Sequence, residues 1–283
     1  MRRLLAAVAA VALGLLVWAA WAPGAAAGTE PGNTAPGRVA LIGVPGLHWN
    51  DVRPDRTPHL WRLAGQSALG TLSPRAVATA TCPYDGWLTV SAGIRTAVGW
   101  RCATPPEPEA QGQGAVVPGF GRLREEHGAG TLGAAARTAG RCTVAVGPGA
   151  ALALADRDGR VDVYARTPAA LPAAEWSRCR LLAVDVDDLI RPYLDRGALT
   201  QEPDRLTPAD RAAVAAAADA KVGEVLARLP ADTIVLLAGL SDHGGVPHLR
   251  VAMWRTPGGA GHLVGAVSTH RDHIVLLPDI TAT

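Results

Sequence analysis

The chain has 283 residues, 48% hydrophobic and 18% charged, an ordinary globular balance with length enough for a substantial core without covalent staples. Its 27 basic and 25 acidic residues leave a net charge of +2, too even for a nucleic-acid binder, which needs a basic patch or stripe. Almost every basic residue is Arg, Lys221 being the sole Lys, and the abundance of Ala, Gly and Pro reflects a GC-rich genome more than any chemistry.

At the N-terminus, Arg2 and Arg3 precede an uncharged apolar run over residues 4–21. Pro23 and Ala25-Ala26-Ala27 follow, a small-x-small cleavage context before Gly28. These parts predict a signal peptide or an N-terminal membrane anchor over 1–27, the run being close to the minimum for a span. The remainder is expected outside the cytoplasm, secreted or anchored at the cell envelope. Residues 28–37, rich in Gly, Pro, Thr and Asn, read as a linker, and 38–283 as one domain.

Within that domain, residues 39–44 form a short apolar run ended by Pro45-Gly46, a buried strand. Thr57-Pro58 opens a helix whose apolar face carries Leu60, Leu63 and Ala64, with Gly70 as its end. Residues 85–92 read as a helix and 103–121, dense in Pro, Gly and Gln, as a surface loop. A short helix over 131–138 precedes a strand over 142–146, and Gly147-Pro148-Gly149 turns into a helical Ala/Leu run. Residues 181–186 form a strand ending in acids. Thr207-Pro208 caps a long helix to about residue 229. Residues 233–240 carry the strongest strand signal, followed by candidates at 249–254, 263–267 and 273–277. Strands alternating with helices predict an α/β fold, a mostly parallel central sheet covered on both faces in three layers.

Cys82, Cys102, Cys142 and Cys179 are an even set in an exported chain, which points to disulfides. Of the three pairings, Cys82–Cys102 and Cys142–Cys179 close the shorter loops. No C-x-x-C spacing supports a cysteine zinc site.

In a parallel sheet, sites gather beyond the carboxyl ends of the strands. Three strand ends there carry polar groups. Asp242 and His243, in Ser241-Asp242-His243-Gly244-Gly245, are a carboxylate and an imidazole able to ligate a divalent cation, or simply a polar turn. Asp185, Asp187 and Asp188 are either solvated or neutralised by a cation. Thr81, before Cys82-Pro83, places a hydroxyl at a helix start, as a nucleophile or as a plain cap. G-x-S-x-G, Walker and G-x-G-x-x-G motifs are absent from the sequence. His248, His262, His270 and His273 follow the Asp-His pair, and one of them could complete a metal shell.

Together these motifs resemble the alkaline phosphatase superfamily of phosphodiesterases, sulfatases and phosphoglycerate mutases. Pro45-Gly46-Leu47-His48-Trp49 is similar to the turn after the family's first strand. Thr57-Pro58-His59-Leu60-Trp61-Arg62-Leu63-Ala64 is similar to its "TPNLDRLA" helix. Residues 81–93 stand where the nucleophile and its helix lie, 233–244 look like the "SDHG" strand, and 273–283 look like the family's "vxxxDlxPTll" segment near the end of the domain. Thr81-Cys82-Pro83-Tyr84-Asp85-Gly86-Trp87-Leu88-Thr89, with Gly93 and Arg95, resembles a group of actinobacterial membrane proteins that carry this domain outside the membrane. Many of these continue into membrane spans, so the domain here is expected to be truncated at its C-terminus.

The resemblance implies a divalent metal, zinc or manganese, held by Asp242 and His243, with Asp185, or else Asp187, and His270 as stand-ins for further ligands and Thr81 as nucleophile. The sequence departs from the pattern at Pro45, where active members carry a metal-binding Asp. "PDxxGH" has no direct counterpart, and Cys82 lacks the sulfatase "CxPxR" context. Two readings follow: a metal-dependent phosphoester or phosphodiester hydrolase acting on a small substrate at the envelope, or a catalytically inactive envelope module of the same fold that binds or builds.

Overall fold

A computed structural model describes residues 37–99, 102–195, 206–256 and 259–282. The expected export segment and most of the linker lie outside these residues. Among the described residues, no helix is long and apolar enough to cross a membrane.

The elements run β1 (Val39–Gly43), α1 (Pro58–Gly65), β2 (Ala68–Ser73), α2 (Pro83–Ala92), β3 (Glu109–Gln111), β4 (Gly114–Val116), α3 (Phe120–His127) and α4 (Thr131–Thr138). They continue β5 (Thr143–Val146), α5 (Pro148–Leu154), β6 (Arg160–Val161), β7 (Val163–Ala165), β8 (Leu181–Asp185), α6 (Arg191–Asp195) and α7 (Pro208–Arg228). β9 (Ile234–Ala238), β10 (Arg250–Arg255), β11 (Gly265–Ala266), β12 (Arg271–Asp272), β13 (Ile274–Leu276) and α8 (Asp279–Ala282) complete the order. The central sheet is ordered β13-β2-β10-β9-β1-β8-β5-β7. Its pairs are parallel except on either side of β10, which runs against β9 and β2.

Alternation along β1 divides the core, because successive side chains of a strand point to opposite faces. Ala40 and Ile42 join Leu60 and Leu63 of α1 and Ala215, Ala218, Val222 and Val225 of α7. Leu41 joins Trp87, Leu88 and Val90 of α2 and the apolar α5 on the other face. The α/β class and the mostly parallel sheet expected from the sequence are thus present as three layers.

α1 and α7 lock through one carboxylate. The side chain of Thr57 takes no part in capping α1, since it accepts from Arg53 N at 2.7 Å and donates to Asp51 O at 2.7 Å. Asp219 of α7 accepts from Leu60 N at 2.7 Å and His59 N at 3.2 Å instead. A buried anion on the first N–H groups of a helix satisfies donors that have no partner inside the helix.

The structure corrects three local expectations and adds one helix that the sequence reading did not name. The helix from Pro58 stops at Gly65, and 68–73 is a strand, because β10 and β13 pair with it on either side. The region 103–121 contains the β3–β4 hairpin, fixed by pairing of Ala115 with Val161 far along the chain. α3 forms between Gly119 and Gly128, both left-handed, with Phe120 and Leu123 buried. Of 263–267 only Gly265–Ala266 is strand, in a hairpin with β12. Both expected disulfides are present, Cys82–Cys102 and Cys142–Cys179.

Candidate functional site

β1 ends at Gly43, opposite Asp185 of β8 on one side and Ala238 of β9 on the other. This rim carries the candidate residues. α2 starts there too, and it packs so close to the end of β9 that a Cβ on Gly86 would lie 2.3 Å from the Leu240 carbonyl oxygen. Only Gly permits that approach.

The approach brings Thr81 and Asp242 together. Thr81 N–H donates to Asp242 Oδ2 at 2.9 Å, and Asp242 N–H donates to Thr81 O at 2.8 Å. The Thr81 hydroxyl is inward: the residue is 1% exposed and its Oγ1 accepts from Ala76 N–H at 2.9 Å.

The partner that decides the character of Asp242 is Arg250. This arginine is wholly buried, at 0% exposure, and Asp242 is at 1%. Arg250 Nη2 donates to Asp242 Oδ1 at 2.5 Å. Its Nη1 donates to Gly46 O at 3.2 Å and lies 3.0 Å from His243 Nδ1. His248 N–H also donates to Asp242 Oδ1, at 3.2 Å. Burial pulls the Arg250 pKa down, and the Asp242 charge opposes that. Nothing in the sequence marks Arg250 as part of the rim. It arrives there because β10 is reversed, so its first residue sits beside the carboxyl end of β9.

The divalent cation implied by the family resemblance finds no matching donor set. Both Asp242 oxygens already accept from Arg250, His248 and Thr81, and the Nδ1 of His243 faces a guanidinium. A divalent cation here would meet the Arg250 charge, a repulsion of about 8 kcal/mol at about 4 Å and an effective dielectric of about 20, twice the unit-charge value. Among the described residues, no group of three or more His, Cys, Asp or Glu is arranged to hold a metal ion.

Asp185 lies on the same rim but opens elsewhere. Across β1 from Ala238, it is about 10 Å away at ordinary strand spacing. Trp87 fills the space between, its ring so close to Gly43 that a Cβ there would lie 2.3 Å from Cζ2. Asp185 Oδ2 accepts from Gly149 N–H at 2.9 Å, and the carboxyl lines a cavity of about 480 Å³ with Asp187, Arg166 and Arg191. Burial first, then the Asp187 charge, pushes Asp185 up to about 7. Asp187 pairs with Arg191 at 2.8 Å and Asp188 with Lys221 at 2.7 Å, so two of the three acids read from the sequence are neutralised by side chains. His270 is exposed in the turn between β11 and β12 with φ +50°, and no contact among the described residues joins it to Asp242.

Sequence reasoning also passed over a second arginine and a histidine cluster. Arg211 of α7 grips Asp51 with two bonds, Nε to Oδ1 at 2.9 Å and Nη2 to Oδ2 at 2.7 Å, and reaches Tyr193 Oη at 3.0 Å. The rings of His243 and His248 each lie 5.2 Å from that of His48. Burial, followed by nearby arginine charge, lowers both His48 and His243 to about 3, so both imidazoles are neutral near pH 7.

No protein-family model matches the sequence, and no curated protein matches it. Among solved structures, the chain is similar to murine ectonucleotide pyrophosphatase/phosphodiesterase 5, at 16% identity and TM-score 0.45 over 73% of this chain. It spans 57% of the length of that protein. The human counterpart gives 14% identity and TM-score 0.42 over 71% of this chain and 56% of its own. The PH0037 protein of Pyrococcus horikoshii gives 11% identity and TM-score 0.44, over 87% and 96%.

Proposed function

We propose that this is an extracytoplasmic domain of alkaline phosphatase-like type that has exchanged metal-dependent hydrolysis for binding, as a module of the cell envelope. The superfamily reading is supported by the sequence motifs and by the three-layer α/β architecture. The extracytoplasmic reading is supported by the two disulfides and by the export segment read from the sequence.

The observation that carries the loss of hydrolysis is the buried Asp242–Arg250 pair. A metal hydrolase uses such a carboxylate to hold a cation that activates its nucleophile. Here a guanidinium neutralises the carboxylate, and the Thr81 hydroxyl is buried against Ala76 N–H. The hydrolase reading has one observation in its favour, the backbone link between Thr81 and Asp242.

Metal analysis and turnover separate the two. Purified protein incubated with zinc or manganese and desalted is expected to keep less than about a tenth of an equivalent, since structural and catalytic sites bind far more tightly than that. Bis-aryl phosphate turnover is expected to be equal in the natural protein and in Thr81→Ala. A full equivalent of metal that is lost in Asp242→Asn, with turnover that is lost in Thr81→Ala, would restore the hydrolase.

A further inference from the structure

Between the loop that follows β1 and the first turns of α7 lies a cavity of about 390 Å³. Arg53, Arg56, Arg211 and Asn50 line it, and Asp51 is the only carboxylate among its described lining residues. Asp51 is already held by both arms of Arg211. The Arg53 guanidinium makes no ion pair among the described residues, and Arg56 has only Asp55, at 3.5 Å with both side chains in solvent. Excess positive charge therefore faces this space.

The loop presenting it is braced. Thr57 Oγ1 accepts from Arg53 N–H and donates to Asp51 O, both at 2.7 Å, and Thr57 N–H donates to Arg53 O at 2.9 Å. A second polar group waits in the wall. His48 Nε2 is shielded from solvent and has no hydrogen-bond partner among the described residues, and the residue lines the cavity. An orphaned buried nitrogen is costly unless a ligand or water meets it. Pro208 and Arg211 bring the start of the 21-residue helix α7 to the same wall, and its backbone potential is positive there.

We propose that this cavity binds a phosphate monoester group, gripped by the Arg53 and Arg56 guanidiniums with the Asn50 amide beside them. The proposal rests on the binding-module reading and names what that module holds. Two forked guanidiniums match a dianionic, multi-oxygen group better than a monoanionic carboxylate.

The phosphate could be carried by a soluble molecule or by a lipid headgroup, and the experiment has an arm for each. Isothermal titration at low ionic strength would use inorganic phosphate, glycerol 3-phosphate and acetate. Co-sedimentation would use phosphatidylcholine vesicles with and without phosphatidic acid. The full chain is compared with Arg53→Ala/Arg56→Ala, both positions being exposed and outside the core, with thermal melting as the check on folding. Phosphate and glycerol 3-phosphate are expected to bind at least tenfold more tightly than acetate, with at least a tenfold loss in the double variant. Binding confined to phosphatidic acid vesicles and lost in the variant supports the lipid source. Equal binding by the folded variant, acetate binding as tight as phosphate, or no binding in either arm overturns the proposal. None of these outcomes depends on metal content or turnover, so failure here leaves the proposed loss of hydrolysis to its own test.

Discussion

Replacing Arg250 with Met keeps most of the side-chain length but strips the charge from a residue with no solvent exposure. Asp242 would then stay buried with its 2.5 Å partner gone and, among the described residues, two backbone N–H groups, from Thr81 and His248, still donating to it. Removing one member of a buried pair costs about 3–5 kcal/mol, because the remaining charge is left uncompensated. The bond to Gly46 O is lost as well, worth about 1 kcal/mol. The sum, about 4–6 kcal/mol, is comparable to the whole stability of many domains. The assay is urea unfolding followed by tryptophan fluorescence, run on Arg250→Met, Asp242→Asn and the double variant. Asn keeps an acceptor but no charge, so the double variant is expected to recover about 2 kcal/mol relative to the sum of the singles. A single-variant loss under about 1 kcal/mol, or strict additivity, would refute the view that the guanidinium is what stabilises the Asp242 charge.

Three further outcomes are expected. Asp185, pushed up to about 7 from 3.8, keeps a proton in the folded state that the unfolded chain has released, so its contribution to stability falls as pH rises from about 4 to 7 and Asp185→Asn should flatten that slope. His48 and His243, held at about 3, act in the opposite sense: below about 6.5 the unfolded chain takes up protons that the folded chain refuses, so stability falls with pH down to about 3, visible most cleanly in the Asp185→Asn background by denaturant titration at stepped pH. Replacing Cys142 and Cys179 by Ser opens a loop closed over a separation of 37 residues and should lower stability by about 4 kcal/mol, measured under non-reducing conditions, with a loss below about 1 kcal/mol counting against the bridge.

Much of the framework was legible because local signals and long-range packing agree. The Thr-Pro starts at 57 and 207 open α1 and α7, and the apolar runs at 39–44, 181–186 and 233–240 became adjacent parallel strands. β2 was hidden because Ala68–Ser73 is mixed in burial and acquires strand character only from partners at 250–254 and 274–276. The rim was legible in part. Thr81 and Asp242 meet, as the family resemblance implied, whereas His270 stays in an exposed turn. Arg250 and Arg211 were invisible for a physical reason. An arginine in a sequence reads as surface, and only the reversal of β10, which buries Arg250, and the approach of α7 to the first loop, which half-buries Arg211, set these two against acids.

The reversed direction of β10 has an evolutionary corollary. Had that strand followed its neighbours, its opening residue would lie at the far end of the sheet, and no mutation at position 250 could reach Asp242. With the observed topology, a change confined to one codon is enough to swap a resident guanidinium for open space beside a carboxylate and an imidazole. Such a substitution would redefine what the rim can hold only alongside a change that offsets the uncompensated Asp242 charge, such as loss of the carboxylate itself.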